Sequence, residues 1–109
     1  GNTYHGFVDN WLRNIKDVYY KNQVELNSIP DETDRANRLT ELNVIEQVRN
    51  LAKTTIVQQA WVTRELHLHG WVYGLSDGLV KDLGLSISRP EEVMPQFRNA
   101  LKRYPRAET

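Results

Sequence analysis

The sequence contains no cysteine. Disulfides, thiolate metal ligands and a cysteine nucleophile are therefore excluded within these 109 residues. The composition suits a reducing compartment, and a cytoplasmic location is the expectation. A charge excess is missing too, since 14 Lys and Arg balance 14 Asp and Glu. Nucleic-acid binding, which needs a basic face, is not expected. No apolar run approaches the about 18 residues of a membrane span, so no membrane partner is expected either. Proline and glycine number four and six. They gather into no linker, and there is no repeat or low-complexity tract. Residues 1–109 read as one partial domain with a loose tail over 105–109. The only methionine is Met94, and the chain is expected to be a piece of a longer protein.

What is present is apolar surface to bury. Three Trp and five Tyr stand among many Leu, Val and Ile, which argues against disorder. Phe7, Val8, Trp11, Leu12, Ile15, Val18 and Tyr19 recur at helical spacing and predict a helix over 7–24. Ser28-Ile29-Pro30-Asp31 breaks it, and Asp31 is placed to cap a second helix over 32–52. That helix presents Leu39, Leu42, Ile45, Val48 and Ala52, with Val44 and Leu51 at the margins. A Thr at 54–55 can cap a third helix to about 63, with Ile56, Val57, Ala60 and Trp61 on one face.

The period then changes from 3.6 to 2. Across 66–73, Leu66, Leu68 and Val72 point one way and His67, His69, Trp71 and Tyr73 the other. Ser76-Asp77-Gly78 predicts a hairpin turn, with Leu79, Val80 and Leu83 in a second strand. Gly70 and Gly74 suggest a close approach or a bend. Ser88-Arg89-Pro90-Glu91 has the form of a capping box. It precedes a last helix over about 90–104 that would bury Val93, Phe97, Leu101 and Tyr104. Pro95 places the regular start of that helix near Met94. The order is helix–helix–helix–β-hairpin–helix. A lone hairpin is too small to cover three apolar helix stripes, so a covering partner is expected, with both faces of the first strand buried.

Few groups suggest chemistry. His67 and His69 at i and i+2 on one strand face can share a metal, with His5 or a carboxylate as third ligand. Two histidines packed in a sheet give the same pattern. Glu41 and Glu46, with Asn43, Gln47 and Asn50, form a polar band on the second helix. Paired carboxylates can do acid–base work, but solvated glutamates are commoner. Asp9 or Asn10 can cap the first helix, and Trp11 can anchor a partner. No Ser-His-Asp set, phosphate loop or dinucleotide fingerprint is present.

Taken together, Asp9-Asn10-Trp11-Leu12-Arg13-Asn14-Ile15, then Glu41-Leu42-Asn43-Val44-Ile45-Glu46-Gln47-Val48-Arg49-Asn50-Leu51, then His69-Gly70-Trp71-Val72-Tyr73-Gly74 and Asp77-Gly78-Leu79 resemble the C-terminal half of the β-class carbonic anhydrases, especially bacterial ones. The resemblance runs from about Gly6 to Leu85. It implies an α/β fold, here the C-terminal part of a mainly parallel sheet flanked by helices, in a homo-oligomer. It implies reversible hydration of carbon dioxide to bicarbonate, in which zinc lowers the pKa of a bound water. The family's zinc ligands lie in Cys-x-Asp-x-Arg and His-x-x-Cys motifs that precede the matched region, and this chain has neither. No zinc ligand or catalytic group carries over, and His67 and His69 are not those ligands. Thr40 stands where many relatives have a non-ligand cysteine. Tyr73 matches a tyrosine that, in some bacterial members, helps line a non-catalytic bicarbonate site.

The resemblance thus implies part of a zinc enzyme, inactive alone, whose partner is the N-terminal half of the same enzyme or another copy of the chain. The alternatives are a non-catalytic, self-associating module derived from that fold and a small metalloenzyme built on His5, His67 and His69.

Overall fold

The computed structural model describes residues 13–73 and 77–103. The expectations placed on His5, Phe7, Val8, Asp9, Asn10, Trp11, Leu12, Gly74, Ser76, Tyr104 and the 105–109 tail lie outside them. The chain divides into two compact units, Gly1–Asn43 and Val44–Thr109.

In the first unit, helix α1 covers residues 13–21 and α2 covers Gln23–Asn27. The single helix predicted to end at 24 is instead interrupted at Asn22 and runs on to Asn27. The cause is local. Asn22 Nδ2 donates to the Val18 carbonyl at 2.8 Å, while the Asn22 N–H is shared between the Val18 and Tyr19 carbonyls. A side chain that bonds the preceding turn competes with the regular ladder. After the predicted break, α3 spans Glu32–Ala52. Asp31 caps it as expected, its Oδ2 accepting the Asp34 N–H at 2.9 Å. Val18, Leu26 and Leu42 are buried in this unit.

The second unit contains the last turns of α3, α4 (Thr55–Thr63), β1 (Leu68–Tyr73), β2 (Val80–Ile87), a 3-10 turn (Pro90–Glu92) and α5 (Val93–Arg103). Thr54 caps α4, its hydroxyl accepting the Val57 N–H at 3.3 Å. The core joins Ile45, Val48 and Ala52 of α3 and Val57 of α4 to Leu68, Leu83, Leu85 and Ile87 of the hairpin and Val93 and Ala100 of α5. Trp61 packs on its margin and donates its indole N–H to the Leu66 carbonyl at 2.7 Å. Ile56, predicted on the buried face of α4, is instead 81% exposed. It lies in the first turn, two positions past the Thr54 cap and one before Val57, which turns inward.

β1 and β2 pair antiparallel, with a break in register. The flanking partners are His69↔Ser86 and Trp71↔Asp82. One residue, Gly70, lies between them on β1; three, Leu83, Gly84 and Leu85, lie between them on β2. The two extra residues form a bulge. Gly84 has φ 74°, and its N–H is held by Asp82 Oδ1 at 2.8 Å. A shift of two keeps the side-chain parity that a shift of one would invert. Leu83, Leu85 and Ile87 therefore all stay on the core side, and β2 runs four residues past the predicted Leu83. A Cβ on Gly70 would touch Leu85 at 3.4 Å and Val44 at 3.5 Å, the close approach expected there. The predicted burial of both faces of β1 is not met among the described residues: Trp71 and Tyr73 are 58% and 59% exposed. A two-stranded sheet has helices on one side only, and nothing among the described residues stands on the other.

The capping box ahead of α5 forms one residue later than predicted. Glu92 Oε1, not Glu91, accepts the Ser88 N–H at 2.8 Å and the Ser88 hydroxyl at 3.1 Å. The helix cap falls at Arg89, one residue past Ser88, so the glutamate at the third position beyond the cap is Glu92. Pro95 falls in the first turn of α5, where no N–H is required.

Two outcomes follow. Gly84→Ala places a Cβ at a left-handed position and is expected to cost about 1–2 kcal/mol in urea unfolding, against about ±0.5 kcal/mol for the exposed Ser86→Ala. The Ser88 N–H, then the Ser88 hydroxyl and the Arg89 charge, hold the Glu92 carboxyl below its ordinary 4.5, with desolvation opposing. A lowered folded pKa gives stability that is present above the unfolded value and lost as pH falls through the folded one. Glu92→Gln should therefore flatten the acid limb of the thermal unfolding midpoint below about pH 4.5, and leave the slope near neutrality unchanged.

Candidate functional site

The outward face of β1 carries a ladder of rings. His67, just before the strand, and His69 lie parallel within 6° at a centroid separation of 6.3 Å. His69 stacks on Trp71 at 6.0 Å. His67 Nε2 stands 3.6 Å from Glu65 Oε2. Tyr73 ends the strand opposite Val80, and its hydroxyl lies 3.7 Å from where a Cβ on Gly78 would be. The row follows from the period-2 pattern in the sequence, and all four rings are accessible from solvent.

These residues do not fit the family's zinc centre. The family uses thiolates, and the chain has none. Two parallel imidazoles 6.3 Å apart do not aim nitrogens at one ion, which needs each within about 2.1 Å. Among the described residues no three His, Cys, Asp or Glu side chains gather into a cation cluster. His5 lies outside those residues.

The polar band on α3 differs from the expected solvated strip. In the first unit Glu41 is 7% exposed and Arg38 is 5% exposed. Arg38 Nη1 donates to Glu41 Oε1 at 3.1 Å, and Arg38 Nε donates to Glu25 Oε2 of α2 at 2.7 Å. The guanidinium thus ties two helices whose residues stand 13 apart in sequence. In the second unit Arg49 Nη1 donates to Glu46 Oε2 at 3.1 Å, and its guanidinium lies 4.8 Å from the centre of the Phe97 ring on α5. Both glutamates are occupied by arginines, so this band organises helices and offers no paired acid and base. The sequence signal was limited to i, i+3 spacing, which does not reveal burial.

Removing Arg38 takes its guanidinium away from the buried Glu41 carboxylate. Arg38→Met is expected to destabilise by about 3–5 kcal/mol in chemical denaturation. The double replacement Arg38→Met with Glu41→Leu should recover much of that loss; equal losses would mean that the pair is not the source.

Comparison with known proteins places this geometry. The family model described as carbonic anhydrase matches residues 1–80. A carbonic anhydrase of Emericella nidulans is 49% identical over 81 residues, covering 73% of this chain and 36% of the relative. One of two tetrameric β-carbonic anhydrases from Sordaria macrospora superposes with TM-score 0.68 at 32% identity, over 73% of this chain and 41% of its own. The Coccomyxa β-carbonic anhydrase in complex with acetazolamide superposes with TM-score 0.71 at 29% identity, over 90% and 46%. The chain therefore spans less than half the length of each of these relatives. The family match over residues 1–80, together with the α/β fold shared with the solved β-class enzymes, shows that this chain belongs to the carbonic anhydrase family and represents part of a β-class fold.

Proposed function

We propose that this chain is part of a zinc-dependent carbonic anhydrase, catalysing the reversible hydration of carbon dioxide to bicarbonate, and that it is inactive alone. The observation that carries the reading is the pairing of a clear family match with a donor set that holds no thiolate and no clustered ligands among the described residues. The chain's own contribution is structural. It supplies a hairpin with a packed inner face and the helices α3, α4 and α5 that hold it. The N-terminal half of the same enzyme supplies the zinc ligands and is the partner.

Oligomer formation by the assembled enzyme is part of the proposal and is supported by the tetrameric state named for the Sordaria relatives. Tyr73 is proposed to help line a non-catalytic bicarbonate site; its position at an accessible strand end supports this. A second reading, a non-catalytic module that associates with its own copies, is favoured by one observation: Trp71, Tyr73, Leu79 and Val80 are all exposed in the hairpin region.

Stopped-flow hydration assays separate the two. The purified chain with added zinc is expected to show no rate above the uncatalysed reaction. Co-expression with the remaining part of a carbonic anhydrase relative is expected to yield a complex whose hydration is abolished by a chelator. Chelator-sensitive turnover by the chain alone would contradict the proposal, and a stable homodimer that ignores the complementary half would favour the second reading. In the active complex, Tyr73→Phe is expected to weaken binding of 13C-bicarbonate followed by NMR. Unchanged binding would remove Tyr73 from that site.

A further inference from the structure

The turn between the two strands carries chemistry that the proposed function does not use. Asp77 is exposed and is followed by Gly78, also exposed. Asp77 Oδ1 accepts the Leu79 N–H at 3.0 Å. A bond from a carboxylate to the N–H two residues on folds the side chain over the intervening peptide. The nitrogen of that peptide belongs to Gly78, which has φ 69° and whose N–H makes no hydrogen bond to any described residue. Glycine places no Cβ in the path of an approaching carboxyl.

The chain supplies its own comparison. Asp82 Oδ1 accepts the Gly84 N–H at 2.8 Å, the same turn with the glycine one place later. There the intervening nitrogen belongs to Leu83, which is fully buried in the core and holds its backbone in place. Asp17 and Asp34 lie in helices, and the N–H after Asp34 is tied to the Asp31 carbonyl at 2.9 Å. No asparagine precedes a glycine. Asn27 precedes Ser28, whose N–H is held by the Glu25 carbonyl at 3.1 Å.

We propose that Asp77 is a site of spontaneous isoaspartate formation, and that this turn is where the chain first changes covalently. The Gly78 nitrogen attacks Asp77 Cγ and forms an N–Cγ bond. The bond from Cγ to the carboxyl hydroxyl breaks, and that group leaves as water with the proton of the nitrogen. The product is a cyclic succinimide. Water then adds at either carbonyl. Opening at Cγ restores aspartate. Opening at the Asp77 main-chain carbonyl sends the chain through the side chain, as isoaspartate. The main chain gains a methylene, and the Leu79 N–H loses the carboxylate that held it. The change falls inside the loop closed by the Tyr73↔Val80 pair.

Ageing the full chain in neutral buffer at physiological temperature tests the proposal. Peptide mapping with electron-transfer fragmentation locates the isoaspartate, and labelling by a protein isoaspartate methyltransferase counts it. Isoaspartate at Asp77 is expected to exceed that at Asp82 at least about tenfold, preceded by a species lighter by one water. Asp77→Asn keeps the acceptor and offers ammonia as an easier leaving group, so it should form isoaspartate faster. Asp77→Ser should remove the methyl labelling. In the aged chain the Leu79 amide, its acceptor gone, should exchange faster with solvent. Isoaspartate no more abundant at Asp77 than at Asp82 would overturn the proposal. So would its first appearance at Asn27 with the mass gain of deamidation, or labelling that persists in Asp77→Ser.

Discussion

The second unit depends on keeping four side chains on one side of a hairpin whose register slips midway. Leu68, Leu83, Leu85 and Ile87 face the helices together because the slip is two residues and not one. Gly84 makes this possible by taking a backbone conformation that residues with a Cβ adopt at a penalty, and Asp82 satisfies its N–H. With parity preserved, α3 and α5 meet a continuous apolar surface, and Arg49 can bridge Glu46 and Phe97 across their outer margin. The other face receives nothing from the described residues. The packing that closes the core is therefore also what leaves Trp71 and Tyr73 in solvent.

Much of this was legible in the residues. Helical spacing located α3 and α4, including the caps at Asp31 and Thr54, because both caps are local events set by residue type and position. The alternation around His69 and Trp71 correctly separated the two faces of β1. Where reading failed, the deciding contacts were subtler. Asn22 interrupts a good apolar period through a side-chain bond to the turn before it. The extent of β2 was hidden because a glycine within Leu83-Gly84-Leu85 reads as an ending, whereas here it carries a bulge. Glu91 and Glu92 follow one another, and only the placement of the cap at Arg89 rather than Ser88 selects the second. Arg38 carries no sequence mark that it would be buried between Glu25 and Glu41.

The site was legible in another sense. The row of rings beginning at His67 has the look of a ligand set when read as letters. Parallel rings on the solvent side of a strand show why it is not the family's zinc centre: the residues are adjacent but not convergent. Family resemblance accounts for that outcome, since the matched stretches include the framework motifs and none of the ligand motifs. On the proposed function, chemistry and framework are carried by different parts of the fold, and this chain carries framework.

The account stands or falls on that division. Its most direct test is the zinc content of the purified chain, measured by plasma emission after dialysis against metal-free buffer and compared with the co-expressed complex. The account predicts zinc well below one equivalent in the chain alone and about one equivalent per catalytic site in the complex. One tightly held zinc per chain, with no other polypeptide present, would contradict it.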